Sequence, residues 1–198
     1  MTLQDWLNIF KKHNDIKIFH INHLKLFTSL NDHALRVSLS RLNKNNSLKR
    51  ICRGFYANPF NIPTLEEISG QIYQPSYISL ESALSSYGIL NQIPHILTCV
   101  TTQFPHTFKT SFGTIEYRQI KKEYFWGFIE KNGFLMAEQE KAFVDYIYLN
   151  SNRNKTNKMS LLNLKDINMR KVKRYLCKIN MKKAASMMVP RTIKGVDF

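Results

Sequence analysis

Asp32-His33-Ala34-Leu35-Arg36-Val37-Ser38-Leu39-Ser40-Arg41-Leu42-Asn43-Lys44, followed by Leu48-Lys49-Arg50-Ile51-Cys52-Arg53-Gly54-Phe55-Tyr56-Ala57, is the stretch that decides how the chain is read. Leu35, Leu39 and Leu42 fall at i, i+4 and i+7, the spacing of a buried stripe on a helix over 33–44. Ser29-Leu30-Asn31-Asp32 reads as a turn with Asp32 as the N-cap. His33, Arg36, Val37, Ser40, Arg41 and Lys44 occupy the outward arc. Cations and small side chains there suit a helix laid in a major groove, although a solvated helix face has the same composition. The residues that follow shift the balance. Runs 48–52 and 55–57 are β-prone, and Arg53-Gly54 between them makes a hairpin turn at a position that tolerates φ > 0. That hairpin carries Lys49, Arg50 and Arg53, within reach of phosphates or a minor groove.

Upstream, Leu3, Trp6, Leu7, Ile9 and Phe10 recur at helical spacing, predicting a helix over 2–13. Ile16, Ile18 and Phe19 make a short extended piece, and Asn22 is placed to cap a second, short helix carrying Leu24, Leu26 and Phe27. Helix, short helix, helix and hairpin is the order of parts in a winged helix-turn-helix, expected over 1–60 and closed by Asn58-Pro59-Phe60-Asn61-Ile62-Pro63.

Downstream, Thr64 caps a helix over 65–73, and Ser79 is placed to cap another through Leu80, Ala83, Leu84 and Tyr87. Strands are expected at 96–101, 106–112, 114–120 and 125–130, with Lys131-Asn132-Gly133 turning the last one back. Glu138–Leu149 reads as an amphipathic helix with Ala142, Phe143, Tyr146, Ile147 and Leu149 inward. The span 61–150 is therefore expected to be mixed, and the fold class α+β. Polar 151–160 reads as a connector. The region 151–198 reads as basic and helical, with Met169-Arg170-Lys171-Val172-Lys173-Arg174-Tyr175-Leu176 alternating cations with apolar residues.

The formal charge of +15 is unevenly spread. Residues 1–60 hold ten Lys or Arg against three acids, 61–150 six against nine, and 151–198 thirteen against two. Two basic ends around a mildly acidic middle point to a polyanionic partner for the ends, because each cation that neutralises a phosphate releases counterions. Cys52, Cys99 and Cys177 are odd in number and widely spaced, which suits a reducing compartment. With no secretory leader pattern and no apolar run of membrane-spanning length, the chain reads as soluble and cytoplasmic.

Three short blocks carry a family resemblance. Arg41-Leu42 with 48–56, Tyr77-Ile78-Ser79-Leu80-Glu81-Ser82-Ala83-Leu84 ahead of Tyr87-Gly88, and Ala137-Glu138-Gln139-Glu140-Lys141-Ala142-Phe143-Val144-Asp145 resemble, in order and spacing, the AbiEi antitoxin family. The family usually has a proline at or near the place of Gln139. The resemblance spans roughly residues 1–150. It implies the antitoxin of a type IV toxin–antitoxin pair linked to abortive phage infection. Its winged helix would repress the shared operon at inverted repeats in double-stranded DNA, and its downstream part would counteract a nucleotidyltransferase toxin without a tight complex. A protein with no obvious dimer helix is then expected to be a monomer or weak dimer.

Other constellations point less far. His20 and His23 are two potential ligands, fewer than a metal needs. Ser79 and Ser82 lack a paired base. Glu138, Glu140 and Asp145 near Lys141 keep a metal-dependent nuclease open as an alternative, alongside a stand-alone winged-helix regulator. Tyr124, Phe125, Trp126 and Phe128 read as a packed strand before a base-stacking platform. The seven glycines form no phosphate-binding cluster. The expectation is accordingly no catalytic residue, no metal and no cofactor.

Overall fold

A computed structural model describes residues 1–150 and 162–181. The fold is mixed α+β, with two sheets: one of three strands in the order β1-β3-β2, one of six in the order β6-β7-β5-β4-β9-β8. Two compact units divide the chain. The first is Met1–Tyr73 with Thr107–Ile115, and the second is Gln74–His106 with the described residues from Glu116 onward.

The first unit runs α1 (Leu3–Lys12), β1 (Ile18–His20), α2 (Ile21–Leu26), α3 (Asp32–Lys44), β2 (Lys49–Cys52), β3 (Phe55–Ala57) and α4 (Leu65–Ile72). Local chemistry sets each helix start. Thr2 and Asp5 form a reciprocal capping box on α1, and Thr64 and Glu67 form another on α4. Two expected caps move. The cap of α3 is Asn31, whose side chain accepts from the Ala34 amide at 2.9 Å. Asp32 lies in the first turn instead and pairs with Lys25 at 2.6 Å. The cap of α2 is His20, not Asn22: its Nδ1 accepts from the Asn22 amide at 3.3 Å, so the helix begins directly off β1.

Trp6 and Phe10 of α1, Phe19, Leu24, the α3 stripe Leu35, Leu39 and Leu42, then Leu48 and Tyr56 form one core. Trp6 is large and buried, and its indole N–H finds the Ser38 hydroxyl at 2.8 Å. Fully buried Asn58 ties the α1–β1 corner together. Its amide donates to the carbonyls of Phe10, His13 and Ile16 at 3.3, 3.1 and 2.8 Å, and its oxygen accepts from the Phe60 amide at 3.0 Å.

In the second unit β4 (Ser76–Ile78) pairs antiparallel with β5 (Ile96–Thr101) and parallel with β9 (Phe134–Ala137). Between β4 and β5 lies α5 (Leu80–Ser86). The strands β6 (His106–Thr110) and β7 (Gly113–Gln119) form a hairpin whose residues Thr107–Ile115 belong to the first unit. The strand expected at 125–130 is displaced: Lys122–Tyr124 form a 3₁₀ turn, and β8 is Phe128–Lys131. Gly127, at φ 75°, makes the bend; a Cβ there would lie 3.0 Å from the Lys141 stem. The β8–β9 turn is Asn132-Gly133 with φ of 51° and 85°, the two positive values a tight hairpin needs.

Helix α6 (Gln139–Asn150) corrects the amphipathic expectation. Every residue from Glu140 to Ile147 is buried, including Lys141, Val144 and Asp145, while Leu149 is only half-buried. A helix covered all round has no polar face to reveal its orientation. Helix α7 (Met169–Lys178) buries Val172 and Leu176, and Ile179 is buried just beyond its end. The expected connector at 151–160 lies outside the described residues, as does the basic segment beyond 181. No helix among the described residues is long and apolar enough to cross a membrane, and all three cysteines are free thiols.

Candidate functional site

The outward arc of α3 is exposed at His33, Arg36, Ser40, Arg41 and Lys44 and half-buried at Val37. On the hairpin, Lys49, Arg50 and Arg53 are exposed. Only part of this set converges. Arg36 and Ser40 of α3, with Arg50 and Arg53 of the hairpin, line one concavity of about 470 Å³ together with His20, Asn43 and Tyr56. Three of its lining side chains are guanidinium groups, and none is a carboxylate. Burial pushes the Tyr56 phenol up, while the Arg50 and Arg36 cations pull the other way.

The remaining candidates lie elsewhere. Arg41 is five residues from Arg36, about 140° away around an ideal helix, so the two sit on opposite borders of the arc. Lys49 turns to the Phe112 ring, its ammonium 4.0 Å from the centroid. The same strand is held by the β6–β7 turn: the Ser111 amide donates to the Ile51 carbonyl at 3.2 Å and its hydroxyl to the Arg50 carbonyl at 2.8 Å.

Asn43 and His20 are contributors that the outward-arc reasoning missed. The Asn43 side chain accepts from the Arg50 amide at 2.9 Å and so links α3 to β2. Its signal was present, because 36, 40 and 43 share the i, i+4, i+7 spacing. His20 had no such signal, since β1 reaches the concavity only through pairing of His20 with Phe55. The turn itself depends on Gly54, at φ 85°. A concave surface with three arginine forks and no acid suits phosphate or another multivalent anion.

A second polar cluster lies inside the second unit. Lys141 and Asp145, one turn apart on α6, form an ion pair with both side chains fully buried. Asp145 also accepts from the hydroxyls of Tyr77 and Ser79, each at 2.9 Å, and Lys141 donates to the Tyr77 oxygen at 3.0 Å. Ser79 therefore does not act as the side-chain cap expected of it; its hydroxyl is committed to Asp145. Burial pushes the Asp145 carboxyl up and the Lys141 amine down, and their mutual attraction opposes both shifts. Leu80, next in the chain, holds φ 58° with its side chain fully buried, a strained conformation for a bulky residue.

The acids considered for a nuclease are each engaged. Glu138 and Glu140 share the Lys171 ammonium at 2.9 and 3.0 Å, and Glu138 accepts from the Tyr175 hydroxyl at 2.9 Å. No group of three or more His, Cys, Asp or Glu able to hold a metal occurs among the described residues. The aromatics near 125 are packed. Phe125 and Phe128 lie 5.0 and 4.9 Å from the Tyr77 ring, and Trp126 meets Tyr175 edge-on at 4.8 Å.

Comparison with protein-family models and with curated proteins finds no match.

Proposed function

We propose that the chain is a DNA-binding transcriptional repressor whose first unit is a winged helix-turn-helix, and that it serves as the antitoxin of a type IV toxin–antitoxin pair. The observation that carries the first half is the arginine concavity, where the outward side of α3 and the hairpin present Arg36, Arg50 and Arg53 with no carboxylate among them. The element order α1-β1-α2-α3-β2-β3 and the strand order β1-β3-β2 support the same assignment. In it α3 enters the major groove and the hairpin is the wing. Arg36 and Ser40 face base edges, and Arg50 and Arg53 grip phosphates.

The antitoxin half rests on the resemblance of three sequence blocks to the AbiEi family. Two of those blocks supply the four members of the buried cluster, Tyr77 and Ser79 from one, Lys141 and Asp145 from the other. Their residue types thus have a physical role in holding the second unit together.

The test is fluorescence anisotropy of the full chain on its own upstream region and on a scrambled duplex, over a range of salt. Arg36→Ala is expected to cost about 1–3 kcal/mol on the operator and to narrow its preference over the scrambled duplex. Arg53→Ala is expected to weaken both duplexes equally and reduce the salt slope by about 1. Failure to bind the upstream region at low salt removes the repressor. Failure to relieve the toxicity of the adjacent gene's product on co-expression, with operator binding intact, leaves a stand-alone regulator.

A further inference from the structure

Helix α7 has two faces of opposite character. One side buries Val172 and Leu176 and is fastened by Lys171 to Glu138 and Glu140 and by the Tyr175 hydroxyl to Glu138. The other side is exposed and carries Arg170, Lys173, Arg174 and Lys178. These four lie within an arc of about 140° around an ideal helix. Lys178 rests over the Trp126 ring at 4.0 Å. Arg170, Lys173 and Arg174 have no ion-pair partner among the described residues.

A face that merely keeps a helix in water usually alternates acids with bases at i, i+4, because opposite charges at that spacing stabilise a helix and like charges destabilise it. Here Arg170–Arg174 and Arg174–Lys178 are like-charged i, i+4 pairs, and α7 contains no acid. Lys171, at the border between the two faces, takes up the nearby acids Glu138 and Glu140, so they are not paired with Arg170, Lys173 or Arg174. The helix therefore carries a like-charge repulsion that a bound polyanion would relieve. Two of its free cations are arginines, whose planar forks engage phosphate oxygens two at a time.

We infer that the exposed face of α7 is a second nucleic-acid surface, on which Arg170, Lys173 and Arg174 engage the phosphate backbone of duplex DNA without reading its sequence. The inference rests on the DNA-binding function proposed above but uses residues of the other unit. It divides the labour: discrimination comes from α3, and a large share of the sequence-independent affinity comes from α7.

The experiment compares the full chain with Arg170→Gln/Lys173→Gln/Arg174→Gln, using anisotropy on the upstream region and on a scrambled duplex of equal length across 50–300 mM salt. Glutamine keeps helix propensity, and circular dichroism with thermal melting verifies that the variant folds. The expected result is an equal loss of affinity on both duplexes, an unchanged ratio between them, and a slope of log Kobs against log salt lower by about 2–3, at roughly 0.9 per phosphate contact. A folded variant whose affinities and slope equal the wild type's overturns the inference while leaving the α3 site standing, and would reassign the face to an acidic protein partner. A wild-type chain that binds neither duplex overturns both.

Discussion

Removing the Asp145 carboxylate is the sharpest perturbation available in the second unit. In Asp145→Ala the Lys141 ammonium stays inside with only the Tyr77 oxygen to accept from it, and the Tyr77 and Ser79 hydroxyls lose their acceptor. Both charged side chains are fully buried, so water cannot compensate without opening the fold. Breaking one side of such a pair costs about 3–5 kcal/mol. Lys141→Met keeps the apolar stem that packs on Gly127 but strands the carboxylate, now held by two hydroxyls alone. A cost near the lower end of that range is expected. The double variant removes both charges, and its loss should fall short of the sum of the singles by about 1–3 kcal/mol, the signature of directly coupled groups. Urea unfolding followed by far-UV circular dichroism reads these differences as midpoint shifts at unchanged slope. Against a typical total of about 5–15 kcal/mol, the single variants will be visibly weakened. A loss below about 1 kcal/mol for Asp145→Ala, or singles that add to the double within about 0.5 kcal/mol, would refute the reasoning.

Asn58→Ala should destabilise the first unit by about 1–3 kcal/mol, because the Phe10, His13 and Ile16 carbonyls and the Phe60 amide each lose a hydrogen bond at once; a neutral result in urea unfolding would show that the α1–β1 corner relaxes freely. Gly54→Ala should cost about 1–2 kcal/mol, since φ 85° forces an L side chain into a disfavoured region; an unchanged melting curve counts against the turn as drawn. The Glu138–Lys171 contact carries a pH signature. The hydrogen bond from Lys171 holds the Glu138 carboxyl below its ordinary range, with the Tyr175 hydroxyl adding to this, and the bond to Glu138 raises Lys171. The Glu138 contribution is complete above the unfolded value of about 4.3 and vanishes as pH falls through the lower folded value. The Lys171 contribution is complete below about 10.4 and fades only as pH rises past it. The melting difference between wild type and Lys171→Met should therefore be constant near neutrality and begin to shrink as pH falls below about 4.3; a difference that instead shrinks between pH 7 and pH 5 would contradict it.

What the chain declares locally is largely what its neighbouring residues can settle among themselves. The Leu35–Leu39–Leu42 stripe, the Thr64–Glu67 box, Gly54 and Asn132-Gly133 act over a few residues, so α3, α4 and both hairpins were legible from the row of letters. The exposed set on α3 and the hairpin was legible too, down to the cations that would carry it. Which of these cations meet was not. Arg36, Arg50 and Arg53 converge only because β3 pairs with both β1 and β2 and so fixes where the hairpin points. The cap of α2 passed to His20 because strand pairing, not propensity, decides where that helix starts. Lys141 and Asp145 looked like part of an acid–lysine group that left a metal-dependent nuclease open, and Ser79 looked like a cap. Their partnership joins residues 66 and 68 positions apart along the chain. Only covering α6 with α5, α7 and β9 while Tyr77 of β4 reaches in can exclude water from two opposite charges and make them each other's solvent, and that exclusion belongs to the assembled fold.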